Sequence, residues 1–154
     1  MKIEVIFEEL LSDIKNKSHY EVASIQDVNL RYIAEAGTEN EPEITRCIIE
    51  AEAMVRQMCV KFLNPDTTTD DNSLPESNPD KFVYDFRTNS RMQDNRGKVM
   101  ANGIHSAIVS MALSKFYISV NQMELSKAHD ALAQNALTLL ERMLYEKRQP
   151  RLPE

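Results

Sequence analysis

The chain has no tryptophan, three glycines, two cysteines and three histidines in 154 residues. Each scarcity removes a class of chemistry. Gly37, Gly97 and Gly103 stand alone, so no glycine-rich loop is present to cradle a phosphate. Cys47 and Cys59 form no Cys-x-x-Cys pair, and His19, His105 and His129 show neither His-Glu-x-x-His nor Glu-x-x-His spacing. Zinc and di-iron sites therefore lack a recognisable ligand set. The two cysteines lie twelve positions apart in one helical pattern. That separation is roughly 18 Å along a helix, too far for a disulfide, and predicts buried reduced thiols.

No stretch reaches about 18 uninterrupted apolar residues, which argues against a membrane-spanning helix. The first fifteen residues carry Glu4, Glu8 and Glu9 inside their apolar pattern, which the core of a signal peptide would not tolerate. Synthesis and retention in the cytoplasm are expected. Glu124 and His129 come near each other in the sequence and read as a solvated surface pair. These absences together predict no catalytic residues, no metal, no cofactor and no enzymatic activity.

What is abundant is helix-forming sequence. Ala, Leu, Met, Glu and Lys are plentiful, and a hydrophobic fraction of 42% with 27% charged residues is ordinary for one globular domain, here 1–154. The formal net charge of −6 opposes a protein whose main work is to coat nucleic acid. Within 99–149, Met100, Ile104, Ala107, Ile108 and Met111 recur at helical spacing, and Ala128, Leu132, Ala136, Leu139, Leu140 and Met143 repeat the pattern. A handful of residues separates the two runs, so they must form an antiparallel helical hairpin.

Upstream, Ile3, Phe7, Leu10, Leu11 and Ile14 predict an amphipathic helix over 3–16, with Glu4, Glu8, Glu9 and Asp13 on its solvated side. Residues 16–23 read as a connection. Ser24 and Asp27 signal a cap for a short helix closed by Gly37, which Ile25, Val28, Leu30 and Ile33 serve with imperfect periodicity. Glu41, Pro42 and Glu43 suit the first turn of a longer helix whose face runs through Ile44, Cys47, Ile48, Ala51, Val55, Met58 and Phe62. Asn64-Pro65 stops it. The fold class is thus all-α, a small helical bundle with a C-terminal hairpin and one long irregular loop.

That loop, 64–98, is an arm inserted between helices, longer than compact domains usually allow. Its first half is acidic, with Asp70 and Asp71 at its centre, and its second half carries Lys81, Arg87, Arg91, Arg96 and Lys98. Between them Phe82, Tyr84 and Phe86 alternate as a short β element would. Three arrangements stay open: pairing with another subunit, folding back as half of a hairpin, or plain disorder. The first makes Phe82, Tyr84, Phe86, Arg87, Arg91, Arg96, Asp70 and Asp71 candidate subunit contacts. Basic and aromatic residues interleaved here also have the composition of a single-strand nucleic-acid surface, although the acidic half of the loop balances them. Past the hairpin, 147–154 forms an extended tail held by Pro150 and Pro153, with Arg148, Arg151 and Leu152 as contacts for a neighbour.

The run ANGIHSAIVSMALSKFYIS, a turn, and SKAHDALAQNALTLLERMLYEKRQPRLP resemble the closing segment of the head–tail connector proteins of tailed phages, nearest to their Mu-like branch. Ala131-Leu132, Leu139-Leu140 and Leu152-Pro153 hold the places of that family's paired residues, and ITRCIIEAEAMVRQMCVKFL after GTENEPE is similar to its earlier helix. The likeness covers roughly 40–63 and 99–153. Glu146, Lys147 and Arg148 stand where that family often has a glycine, and loop 64–98 is longer than the family leads one to expect. The resemblance implies a non-enzymatic virion subunit, made in the host cytoplasm, that forms a homo-oligomeric ring with twelve copies the expected number. It implies a portal protein and tail or neck proteins as partners, with DNA passing the lumen without sequence recognition and no membrane contact. The alternative class is a cytoplasmic helical adaptor or regulatory protein acting on a protein partner.

Overall fold

A computed structural model describes residues 2–64, 80–87 and 95–146, and the side chains of these except 95, 96, 145 and 146. Five α-helices and two short strands follow in the order β1 (Lys2–Ile6), α1 (Phe7–Val22), α2 (Val28–Ala34), α3 (Glu41–Cys59), β2 (Lys81–Asp85), α4 (Asn95–Ser119) and α5 (Met123–Glu146). Single 3-10 turns precede and follow α3, at Thr38–Asn40 and Val60–Phe62. No described helix is long and apolar enough to cross a membrane.

The N-terminus departs from the expected helix. Ile3 and Val5 are buried while Lys2, Glu4 and Ile6 are exposed, the alternation of a strand with one face on a core. Ile3 and Phe7 lie four apart and so satisfied both periods. The backbone takes the extended form because β2 lies alongside, antiparallel, with Lys2 opposite Asp85 and Ile6 opposite Lys81. Of the arrangements open for Phe82, Tyr84 and Phe86, the structure takes the fold-back, with its own N-terminus as the partner strand.

Helix α1 runs on through the stretch that reads as a connection. Its buried stripe continues from Ile14 to Ser18 and Val22, and a serine in the stripe hides the continuation. The Ser18 hydroxyl accepts a hydrogen bond from the Ala36 backbone N–H at 2.8 Å, which satisfies it in the core. Asp27 caps α2 as expected, accepting from the N–H groups of Asn29 at 2.9 Å and Leu30 at 3.5 Å. Gly37 does not close that helix. It has φ −117°, and α2 ends earlier, at Ala34.

Helix α3 buries Ile44, Cys47, Ile48, Ala51 and Val55 of the predicted face, with Cys59 buried in place of the expected Met58, which is half-buried, and Phe62 follows, buried, in the 3-10 turn. Burial pushes both thiols up, Cys47 to about 11 and Cys59 to about 12, so each stays protonated near neutrality. Helix α4 is apolar on more than one side: Met100, Ile104, Ala107, Ile108, Val109, Met111, Leu113, Phe116 and Tyr117 are all buried. It is the central rod, packed against α1, α3, α5 and β1.

The predicted hairpin is present. Asn121 turns it with φ 60°, while Gln122 N–H donates to Tyr117 C=O at 2.8 Å and Asn121 N–H to Ile118 C=O at 3.2 Å. These two bonds close a Schellman motif with asparagine in the left-handed position. Half of the expected α5 stripe faces the core: Leu140 is buried and Ala136 and Met143 pack against it, whereas Ala128, Leu132 and Leu139 are exposed. Ser126, His129, Ala133 and Leu144 complete the inward face.

Gly103 faces α5 from inside α4, and a Cβ there would meet Met143 Cε at 3.9 Å and Leu140 Cδ1 at 4.0 Å, ordinary contact. Gly103→Ala therefore gains helix propensity without strain. An increase of about 0.5–1 kcal/mol in unfolding free energy is expected in urea titrations.

Candidate functional site

Phe82, Tyr84 and Phe86 lie in the core of their own chain, with 3%, 0% and 1% of their surfaces exposed. They pack against the domain's own helices and do not face a neighbouring copy, which corrects the expected interface role. A buried clamp holds the strand in place. Glu52 on α3 accepts from the Tyr84 hydroxyl at 3.0 Å and from Arg56 Nε at 2.7 Å. Arg56 Nη2 donates to Val83 C=O at 2.9 Å, and its guanidinium lies 4.3 Å from the centre of the Tyr84 ring. Burial, with the Glu52 charge second, holds the Tyr84 phenol far above its ordinary value.

Arg87 is exposed, with Nε donating to Leu63 C=O at 3.2 Å. Asp70, Asp71, Arg91, Arg148, Arg151 and Leu152 lie outside the described residues, as does the side chain of Arg96. Lys81 answers Glu4 across the strand pair at 2.9 Å.

The histidines do not converge. Each meets a carboxylate, and every pair involves α1: His19 with Glu35 at 2.7 Å, His105 with Asp13, and His129 with Glu21 at 2.5 Å. The His129 partner is thus Glu21 of α1, not Glu124. These contacts tie α1 to the chain after α2, to α4 and to α5, which is a structural task.

Surface chemistry concentrates elsewhere. Seven-residue α2 has one buried residue, Ala34, and displays Val28 (70% exposed), Leu30 (53%), Tyr32 (58%) and Ile33 (55%). It lies where α1 stops, α3 begins and α4 turns into α5, and Ile118 and Met123 are exposed at that turn. A depression of about 500 Å³ runs between α2 and the turn, lined by Tyr32, Ile33, Gly37 and Val120. The neighbouring Glu39 carboxylate raises the Tyr32 phenol's pKa.

Singly exposed apolar residues are normal, and four together on one short helix make α2 the candidate contact surface. A second, narrower ridge runs along the outside of α5, through the exposed Ala128, Leu132 and Leu139, with the polar Asn135 between the two leucines. The signal for the first surface was present in the sequence: the imperfect periodicity of 25–33 is what a helix without a buried stripe looks like. No protein-family model, curated protein or solved structure matches the chain.

Proposed function

We propose that this chain is a non-enzymatic structural subunit of a tailed-phage neck, assembling into a ring that joins portal to tail. The observation that carries an assembly role is the exposed apolar face of α2 beside the α4–α5 turn. Desolvating such a face against a partner gains about 25 cal/mol per Å², and a solitary protein has little reason to keep it in water. Ring formation needs two unlike surfaces on one subunit, because a heterologous contact joins one patch to a different patch on the next copy. The face of α2 and the ridge of α5 are two such surfaces on different helices. The phage assignment draws on the sequence resemblance over 40–63 and 99–153, the stretches that form α3 and the α4–α5 hairpin.

Native mass spectrometry and imaging of the purified chain, alone and mixed with a candidate portal protein, test the reading. The expected product is a closed ring of many copies. A chain that stays monomeric or dimeric in every mixture, yet binds one protein partner, would instead be a helical adaptor.

A further inference from the structure

The two edges of the two-stranded sheet differ in how far their outward backbone groups are occupied. Phe7 N–H donates to Asp80 C=O at 3.0 Å, so with the observed register Val5–Phe82 and Ile3–Tyr84 are the other hydrogen-bonded pairs. Two outward carbonyls of β2 are taken: Asp85 C=O accepts from Asn64 N–H at 2.7 Å, and Val83 C=O accepts from Arg56. The outward groups of β1 at Lys2 and Glu4 have no backbone partner among the described residues, while Ile6 is the N-cap of α1 and its C=O accepts the helix's first bond.

Beside the edge of β1 lies a groove of about 410 Å³ between β1, α1 and α4, lined by Glu4, Glu9, Asp13, Asn102 and His105. Lys81 answers Glu4 and His105 answers Asp13, but Glu9 has no ion-pair partner among the described residues. An unpaired strand edge beside a carboxylate-rich groove is built to accept an extended, basic segment as a third strand.

We propose that the occupant is the 147–154 segment of a second copy. Its sequence, KRQPRLPE, sets Lys147, Arg148 and Arg151 against the single carboxylate Glu154. Strand alternation lets Gln149 and Arg151 present N–H and C=O to β1 while Pro150, which lacks an N–H, turns its backbone outward. Pro153 then ends the pairing, since its position requires a donor. Charge complementarity sets the choice of occupant. The placement of α4 argues for a second copy: α5 packs on the Gly103 side, whereas the groove is lined by Ala101, Asn102 and His105. A segment leaving α5 thus starts from a helix that does not line its own groove. The second copy rests on the assembly reading above.

The test uses full chains. A fluorescent 147–154 peptide is titrated with the chain carrying R148D/R151D, whose own segment no longer competes. Saturable binding is expected, weakened at least tenfold by adding E9R/D13R, weakened by salt, and lost with a peptide N-methylated at Arg151. No binding at millimolar concentration, or equal binding to the E9R/D13R chain, overturns the inference. Should E9R/D13R fail to fold, the N-methyl peptide alone decides.

Sedimentation of the unaltered chain shows concentration-dependent association that R148D/R151D abolishes. A monomer that excludes the peptide at all concentrations signals a contact within one chain and overturns the second-copy assignment. Ring formation with a portal protein separates this inference from the reading it rests on. Rings untouched by R148D/R151D sink the inference alone, and peptide binding without any ring sinks the assembly reading.

Discussion

Replacing Glu52 with alanine is expected to lower folding stability by about 3–5 kcal/mol, the penalty for removing one partner of a buried ion pair. Glu52 is 2% exposed and Arg56 16% exposed, so water does little to compensate either charge. Without the carboxylate, the Arg56 guanidinium loses its buried counter-charge, and the Tyr84 hydroxyl loses its acceptor. Tyr84→Phe removes one hydrogen bond to a charged acceptor and leaves the ion pair, so a smaller loss of about 1.5–3 kcal/mol is expected. Urea unfolding followed by circular dichroism reads both. The order matters more than either value: an E52A chain within 1 kcal/mol of the parent, or one more stable than Y84F, means that the clamp does not hold β2 to α3.

This clamp shows what the sequence could and could not display. The stripe of α3 was legible because its apolar positions are local and regular, and the hairpin because two long patterns meet across a short break. Strand β1 was not, since its partner lies more than 70 residues away in the chain and no local pattern contains it. Polar residues in the core did the rest. Ser18 ended the visible stripe of α1 early. Ser126 and His129 occupy inward positions of α5, which left Ala128, Leu132 and Leu139 as the more apolar, and misleading, phase. Each buried polar group is legible only once its partner is known: the Ala36 N–H for Ser18, the Ser114 C=O for Ser126, and Glu21 for His129.

The candidate surfaces divide the same way. Alternating Phe82, Tyr84 and Phe86 announced a strand, but aromatic alternation does not say whether the covering layer belongs to the same chain. Glu4, Glu9 and Asp13 read as a solvated helix face, and became one wall of a groove only because residues 2–6 are a strand with a free edge. The face of α2 was the reverse case. Its irregular apolar residues looked like a poor helix, whereas the Asp27 cap makes a good one, whose apolar side chains nothing among the described residues covers.

The largest functional effect is expected on that uncovered face. Leu30→Asp combined with Ile33→Asp is expected to abolish assembly while leaving the fold in place. Both side chains are more than half exposed, so each substitution is expected to change stability within about 0.5 kcal/mol, and the melting curve should superimpose on the parent's. At an interface the same changes forfeit about 1.5–3 kcal/mol of burial per side chain and add two charges that must be desolvated. A loss of at least roughly 100-fold in affinity per contact follows, since each 1.4 kcal/mol is about tenfold. A ring repeats the contact at every subunit, so the defect is expected to be all-or-none: free subunits in place of rings when the variant is imaged with its portal. Leu132→Asp with Leu139→Asp probes the ridge of α5 in the same assay. If the two variants fail alone but pair one-to-one when mixed, the face of α2 and the ridge of α5 are complementary halves of one head-to-tail contact. If the α2 variant assembles normally, that face is not the contact, and the assembly reading loses the observation that carries it.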